Sequence, residues 1–263
     1  MTGFSAEWLA LREPADTAAR DVTLTKRLAQ ITRRHAPAKF IDLGCGTGAN
    51  LRYLAPHIEG PQEWLLVDSD IRLLEQVRGP SQCRFDTRCV DLAAGLDALT
   101  VSGEVVVTAS ALLDLVSDRW LMDLIERCRA VGAAAFIALS YDGRMTCAPA
   151  DVDDDWVREL VNRHQRGDKG FGPALGPEAA RRACERFAQV GYEVQSARSD
   201  WSLAPGDRLL QQFLIEGWAC AAAEVEPHEA ARCQRWLEAR LAYLASGVSR
   251  ITVGHQDVIA VPR

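Results

Sequence analysis

The chain has 263 residues, of which 25% are charged and 48% hydrophobic, and its formal net charge is -6 at pH 7. This length is enough for one large domain, the composition is that of an ordinary globular protein, and the acidic balance argues against a general nucleic-acid-binding protein. No run approaches the ~18 apolar residues of a membrane span, and residues 1–12 lack the basic start and apolar core of a signal peptide. We therefore expect a cytoplasmic protein with no membrane partner.

The 8 cysteines are scattered along the chain and include no Cys-x-x-Cys pair. Several of them, such as Cys89 and Cys128, lie in apolar patterns, where a reduced thiol behaves as a small hydrophobic side chain. The acidic run over residues 151–155 lacks the spacing of a calcium loop. We therefore expect neither a disulfide framework nor a metal site.

The first predicted element is a helix over residues 14–35, with Leu24, Leu28 and Ile31 on one face. Apolar residues at this spacing are typical of a helix that packs one side against a core. Pro37 closes this helix before the first strand, because proline cannot continue a helix from its interior.

A glycine loop follows the first strand. Residues 40–43 form a short apolar strand, and Gly44, Gly46 and Gly48 come after it at alternate positions. Such glycines let the backbone turn tightly and approach a ligand with no Cβ in the way. The spacing is Asp-x-Gly-x-Gly-x-Gly, with Asp42 as its acid, whereas dinucleotide-binding proteins have Gly-x-Gly-x-x-Gly. The spacing therefore favours a nucleoside ligand over NAD.

Helices and strands then alternate, which predicts an α/β fold with right-handed crossovers and a parallel sheet covered by helices on both faces. Ligands of such sheets bind at the carboxyl ends of the strands. Asp68, Asp91 and Ser110 fall at such ends. The predicted elements are helices over residues 50–57, 71–77 and 118–131, and strands over residues 64–67, 83–90, 105–108 and 134–139.

Over residues 36–141 these features resemble the class I methyltransferases that depend on S-adenosylmethionine. In that family the glycine loop passes under the methionine part of the cofactor, an acid after the second strand binds the ribose hydroxyls, and a further acid accepts from the adenine amino group. The resemblance assigns the two acids to Asp68 and Asp91, and it places the end of the fourth strand, at Ser110, near the methyl group. The cofactor-binding residues that it implies are Asp42, Gly44, Cys45, Gly46, Gly48, Asn50, Asp68, Ser69, Asp91, Leu92 and Ser110.

A structural role for the two acids is the alternative. Asp68 could cap the helix that follows it, as could Ser69 or Asp70, and Asp91 could cap a helix over residues 92–99. The order of the acids along the chain favours ligand binding.

The second half of the chain departs from a minimal fold. We predict a glycine-rich insertion over residues 142–177, helices over 178–190, 207–223 and 228–246, and strands over 192–197 and 251–261. The resemblance implies that the last strand runs antiparallel, in a doubly wound, mostly parallel sheet of seven strands. We expect a single domain over residues 1–263, with an N-terminal helical segment 1–38, a cofactor-binding half 39–141, the insertion or lid 142–177, and a C-terminal part 178–263 that carries a helical insertion 207–246.

The insertion concentrates positive charge at Arg163, His164, Arg166 and Lys169. A solvated charged loop is the default interpretation. The functional alternative is an anion clamp, because guanidinium and ammonium groups bind carboxylates and phosphates. On that reading Arg163, Arg166 and Lys169 are candidate substrate-binding residues, and the small-molecule acceptor is anionic.

We expect a methyltransferase that acts on a small molecule by in-line displacement at a sulfonium methyl group, for which the protein supplies mainly alignment. A general base is needed only if the acceptor is protonated. Candidates are His164, because histidine titrates near neutral pH, and Tyr141 and Asp114, because they lie just beyond strand ends. Two alternatives stay open, a non-catalytic domain that binds S-adenosylmethionine or S-adenosylhomocysteine, and a methyltransferase acting on a macromolecule.

Overall fold

Helices and strands alternate through the first half of the chain, as the apolar segments of the sequence predict. The computed structural model describes residues 4–34, 36–97, 99 and 104–263. The strands are β1 (Ala38–Leu43), β2 (Gln62–Asp68), β3 (Cys83–Cys89), β4 (Val105–Ser110), β5 (Ala134–Ala148), β6 (Tyr192–Arg198), β7 (Trp201–Leu203) and β8 (Arg250–Pro262). The α-helices are α1 (Ala6–Ala19), α2 (Val22–Thr32), α3 (Ala49–Leu54), α4 (Ile71–Leu74), α5 (Asp118–Val131), α6 (Asp154–Gln165), α7 (Ala179–Gln189), α8 (Arg208–Val225) and α9 (Ala230–Ala245).

The strands form a single mixed sheet in the order β3-β2-β1-β4-β5-β8-β6, with β7 paired to β8. Strands β1 to β5 are parallel, and β8 runs antiparallel between β5 and β6. This arrangement confirms the doubly wound, mostly parallel sheet with a C-terminal antiparallel strand. The number of strands was wrong, because β7 makes eight among the described residues. Its three residues, Trp201–Leu203, are too few to show a strand period in the sequence.

The N-terminal helix differs from the prediction. The chain forms two helices, and α1 runs through Pro14, the residue at which the prediction began. The helices are separated because Arg20 is extended and the Asp21 carboxylate accepts from the Leu24 N–H at 2.7 Å, which caps α2. The prediction missed this boundary because an N-cap aspartate in a polar stretch does not interrupt the apolar period. His35, the predicted last residue of the helix, lies outside the described residues.

Strand β5 is much longer than the predicted strand over residues 134–139. It continues to Ala148 beside β8, with irregular register between Ile137 and Ser140 and again between Tyr141 and Met145. Such bulges break the two-residue alternation by which a strand is detected in a sequence. The first seven residues of the predicted insertion are therefore strand.

The sheet is buried on both faces. Helices α5 and α7 cover one face, where Leu121, Ile125 and Phe187 are buried, and α2 and α3 cover the other, with Leu28 and Leu51 buried. A third cluster joins α6, α8 and α9 to the C-terminal half of β5 and the N-terminal end of β8. Among the described residues, no helix is both long enough and apolar enough to cross a bilayer.

A buried ion pair fixes the third cluster. The Arg240 side chain of α9 has no exposed surface, and its Nη2 donates to Asp154 Oδ2 at 2.6 Å while its Nη1 donates to the Pro149 carbonyl at 2.6 Å. Trp236 Nε1 donates to the other oxygen of Asp154 at 2.9 Å. One carboxylate at the start of α6 thus satisfies two buried donors of α9.

Asp154→Ala should destabilise the fold by about 3–5 kcal/mol, because it leaves the Arg240 charge buried without its partner. Urea unfolding followed by circular dichroism measures the change. The matched control is Asp155→Ala, whose side chain is 82% exposed and pairs with Arg158 at the surface; it should change stability by less than about 1 kcal/mol. Equal losses in the two variants would contradict this role of Asp154.

Candidate functional site

The predicted cofactor residues surround one cavity at the carboxyl ends of the parallel strands. The cavity has a volume of about 450 Å³, which lies within the ~300–1,000 Å³ of small-molecule sites. Its wall includes all but one of the predicted residues, namely Asp42, Gly44, Cys45, Gly46, Asn50, Asp68, Ser69, Asp91, Leu92 and Ser110. The remaining one, Gly48, is the N-cap of α3.

The glycine loop requires glycine at its three alternate positions. Gly44, Gly46 and Gly48 have φ values of 64°, 54° and 87°, in the left-handed region that side chains disfavour. The Cys45 side chain between them is buried, and burial raises the pKa of its thiol. Cys45 is therefore a packed thiol of low reactivity, and the loop presents its backbone to the cavity.

Helix α1 lies across this loop and forms part of the cavity wall. A Cβ added to Gly46 would lie 2.8 Å from Leu9 Cδ1. Glu13 accepts from Arg52 of α3, with Oε2 and Nη2 2.6 Å apart. None of the residues of α1 is fully buried, and the helix is held by these side-chain contacts and by Trp8, Leu11 and Ala15, which are partly buried against the third cluster.

The two predicted ligand acids have defined partners. The Asp68 carboxylate accepts from the Gly46 N–H at 2.8 Å and from the Asp70 N–H at 3.0 Å. Asp70, and not Asp68, caps α4, because it accepts from the Arg72 N–H at 2.9 Å. Asp91 accepts from the Ala93 N–H at 2.9 Å and so caps a turn of 3₁₀ helix. Each carboxylate keeps lone pairs for a ligand, since a carboxylate has about four acceptor positions.

A buried polar network stands behind the loop. Asn50 Nδ2 donates to Asp42 Oδ1 at 2.7 Å and to Thr108 Oγ1 at 3.0 Å, and Asn50 Oδ1 accepts from Arg20 Nη1 at 2.9 Å. Burial raises the pKa of Asp42 to about 7. Asp42 Oδ2 is buried at the cavity wall without a hydrogen-bond partner among the described residues, so one acceptor there is open to a ligand donor.

Two residues with unusual backbone conformations lie on the neighbouring strands β4 and β5, one just after β4 and one inside β5. Ala111 follows β4 and has a φ of 52°, and Leu139 within β5 has a φ of 53°. The Ala111 N–H donates to the Ala138 carbonyl at 2.9 Å, which holds the end of β4 against β5. Non-glycine residues in this region cost about 1–3 kcal/mol each and are concentrated at functional sites. Ser110 and Ala111 both line the cavity.

The three candidate bases lie outside the cavity wall. The Tyr141 hydroxyl donates to Asn162 Oδ1 at 2.8 Å, and burial raises its pKa. His164 Nε2 is 3.0 Å from Glu224 Oε2. Asp114 is buried in the segment between Leu112 and Leu115, which line the cavity, and burial raises its pKa to about 6. A base role for any of them stays a prediction.

Of the three residues predicted to bind an anion, one lines the cavity and two do not. Lys169 lines the cavity together with Gly170 and Phe171. Arg163 is exposed and pairs with Glu226 at 2.7 Å, and Arg166 Nη1 donates to the Asn162 carbonyl at 3.2 Å, so neither belongs to the wall.

Several lining residues were not predicted from the sequence. Arg12 and Asp16 of α1 reach the cavity, as do Phe4 and Leu9. They were missed because the prediction placed the first helix after Arg12 and gave the N-terminal segment no site role. The turn spacing of Leu9, Arg12 and Asp16 was the available signal, since residues three and four apart share a helix face.

No protein-family model matches the sequence, and no curated protein matches it either. The structure is similar to that of a cyclopropane-fatty-acyl-phospholipid synthase-like protein from Lactobacillus casei, with a TM-score of 0.58, 13% identity, and 98% of this chain and 94% of that chain covered. It is also similar to the YcgJ protein from Bacillus subtilis, with a TM-score of 0.51, 12% identity, and coverage of 92% and 99%.

A methyltransferase from Geobacter sulfurreducens that depends on S-adenosylmethionine, solved in complex with S-adenosyl-L-homocysteine, aligns over 100% of both chains at 15% identity and a TM-score of 0.47. At 12–13% identity, the two likenesses with TM-scores above 0.5 establish a shared fold and no more. The mostly parallel sheet with its antiparallel β8 confirms the fold that the resemblance to class I methyltransferases implies.

The buried carboxyl of Asp114 makes stability depend on pH. Its pKa of about 6 lies above the ~3.9 of an unfolded aspartate. The folded state therefore binds this proton more tightly, and the stability that the proton contributes is complete below pH ~4 and is lost as the pH rises through about 6. Asparagine does not titrate. The free energy of unfolding of Asp114→Asn, relative to that of the wild type, should therefore be roughly 2–3 kcal/mol higher at pH 8 than at pH 4.

Urea unfolding of both proteins at pH 4 and pH 8 measures this gain. Asp155→Asn, at an exposed carboxyl, controls for the loss of one negative charge. The prediction is wrong if the difference between Asp114→Asn and the wild type is the same at both pH values.

Proposed function

We propose that this chain is a methyltransferase that depends on S-adenosylmethionine and acts on a small molecule. The observation that carries the proposal is the single cavity that joins the left-handed glycine loop to Asp42, Asp68 and Asp91. Acids at the ends of successive strands beside such a loop suit the donors of a nucleoside that carries an amino acid. The class I methyltransferase fold is consistent with this assignment but does not by itself fix the chemistry.

The residues of the site fit the cofactor. Asp68, oriented by two backbone N–H groups, would accept from the ribose hydroxyls, and Asp91 would accept from the adenine amino group. The unpartnered Asp42 Oδ2 would accept from the ammonium of the methionine part, because a buried acceptor needs a donor. The loop of Gly44 and Gly46 would let the ligand approach the backbone.

When bound, S-adenosylmethionine supplies a methyl group on a positively charged sulfur, which is a good leaving group. The protein then has to align the acceptor with that methyl group and exclude water. Leu9 of α1 and Phe171 of the loop that follows α6 line the cavity, and Leu112 and Leu115 add apolar wall beyond β4. These side chains would keep solvent from the reacting atoms.

A small acceptor is favoured by the size of the site. The cavity has residues of α1 and Lys169–Phe171 in its wall, and its volume is about 450 Å³. A macromolecular acceptor would need an open surface around Ser110, and a nucleic acid would also meet the net charge of -6.

We predict that the protein binds S-adenosylmethionine and S-adenosylhomocysteine with micromolar affinity and shows no saturable binding of NAD. Isothermal titration calorimetry on the purified protein measures all three. Transfer of a labelled methyl group to an acceptor from a small-metabolite library then distinguishes an enzyme from a binding domain. Saturable NAD binding without binding of either sulfur nucleoside would contradict the proposal.

Asp68→Ala should weaken binding of S-adenosylhomocysteine by roughly 10- to 100-fold, because each hydrogen bond to a charged group contributes about 1.5–3 kcal/mol. Asp91→Ala tests the other end of the nucleoside and should weaken binding in the same direction. Asp155→Ala, at an exposed acid on α6, is the control. If Asp68→Ala folds normally and binds as tightly as the wild type, Asp68 only orients the glycine loop.

A further inference from the structure

The cavity wall contains two cationic side chains among the described residues, Arg12 and Lys169. The wall also contributes apolar side chains, including Phe4, Leu115 and Phe171. Both cations are held by partners of their own, and each keeps donors that those partners do not use.

Arg12 is fixed on α1 by Asp16 and Trp201. Its Nε and Nη2 donate to the two oxygens of Asp16 at 2.9 and 3.0 Å, and Asp16 also accepts from Trp201 Nε1 at 3.0 Å. The guanidinium lies over the Trp201 ring, with Cζ 5.0 Å from the ring centroid. A guanidinium has five N–H donors, so Asp16 leaves the edge formed by Nη1 and Nη2 for a second acceptor.

The free Nη1–Nη2 edge of Arg12 can donate two hydrogen bonds to one anion. Two parallel N–H groups match the two oxygens of a carboxylate, which is the geometry in which arginine binds acids most strongly. The Arg12 side chain is 12% exposed, so an anion there would be shielded from most of the solvent.

Lys169 is fixed by a chain of two side chains. Its Nζ is 3.3 Å from His164 Nδ1, and His164 Nε2 is 3.0 Å from Glu224 Oε2. An ammonium can only donate, so Nδ1 accepts, Nε2 carries the ring proton, and the ring donates to Glu224. His164, which the sequence offered as a base, thus orients Lys169, and the ammonium keeps two further donors for the cavity.

The local charge favours an anion of low charge. Arg12 is paired with Asp16, and Lys169 is linked through His164 to Glu224, so these partners already balance the two cations. A carboxylate adds one negative charge to this site, whereas a phosphate monoester adds close to two at neutral pH. The acids of the wall at the ends of β2 and β3, Asp68 and Asp91, would repel the same anion from the nucleoside end.

We propose that Arg12 and Lys169 together bind a carboxylate of the methyl acceptor, and that this acceptor is a small carboxylic acid with an apolar body. The proposal rests on the proposed function, because it assigns the nucleoside end of the cavity to the cofactor. It replaces Arg163 and Arg166, which lie outside the wall, with Arg12 as the partner of Lys169.

The test uses the wild-type protein saturated with S-adenosylhomocysteine and three probes of similar shape, which are 3-phenylpropionate, its primary amide and phenyl phosphate. Titration followed by protein NMR gives a dissociation constant for each. We expect the carboxylate to bind at least tenfold more tightly than the amide and more tightly than the phosphate. Absence of a carboxylate preference over the amide, or tighter binding of the phosphate, would overturn the proposal.

Variants then locate the site. Arg12→Met and Lys169→Met should each weaken 3-phenylpropionate at least tenfold while changing the affinity for S-adenosylhomocysteine less than threefold. Arg129→Met, at an exposed arginine that pairs with Glu126 on α5, should leave both affinities unchanged. Lys169 lies on a loop, so Lys169→Met tests the proposal even if Arg12→Met disturbs the folding of α1.

The outcomes separate the two proposals. If the variants weaken S-adenosylhomocysteine tenfold instead, the cations hold the carboxylate of the cofactor and the assignment to the acceptor is wrong. If the wild type does not bind S-adenosylhomocysteine at all, the proposed function itself fails.

Discussion

The structure depends on one buried guanidinium, that of Arg20, between α1 and α2. It donates to Asn50 behind the glycine loop, lies 3.5 Å from a carboxylate oxygen of Asp257 in β8, and stacks over Tyr53 of α3 at 4.4 Å. Burial lowers the pKa of this guanidinium, and Asp257 opposes that effect. Asp257 in turn accepts from the backbone N–H groups of Asp21 and Leu139, so a single pair of charges joins the first helices, the loop and the last strand. Removing either partner would leave the other charged and buried, which is why these distant segments adopt one arrangement.

The parts of the fold that the sequence predicts are those whose pattern is local. Helix α5 was predicted to the residue, because its amphipathic period is bounded directly by a capping serine, Ser117, and a glycine, Gly132. The prediction failed where tertiary contacts decide. Strand β5 continues past its bulges because β8 pairs with it, β7 exists only as an addition to β8, and α1 passes through Pro14 because its side chains contact the loop and β7. None of these partners is near in sequence.

The same distinction between local patterns and tertiary contacts applies to the residues of the site. The glycines, Asp68, Asp91 and Ser110 belong to strand ends whose order the alternation of elements gives, and all line one cavity apart from Gly48. Arg12, Asp16 and Arg20 carry no motif, since their significance comes from Trp201, Asn50 and Asp257, which are 30 or more residues away. His164 shows the converse, because a residue of suitable chemistry on a promising loop contacts other side chains and only reaches the cavity through Lys169.

Helix α1, which forms part of the cavity wall, is expected to be less stable than the sheet beneath it. Helix α1 contributes no fully buried residue, yet it contacts the glycine loop through Leu9 and pairs with Arg52 of α3 through Glu13. Segments with little core burial open at a free energy well below that of global unfolding. Amide hydrogens of α1 should therefore exchange with solvent through a local opening that the strands beneath do not share. A ligand that contacts both the loop and α1 would enter the cavity through this local opening. Its binding would stabilise the closed position of α1, so the affinity of the ligand would depend on how well ordered the N-terminal helix is.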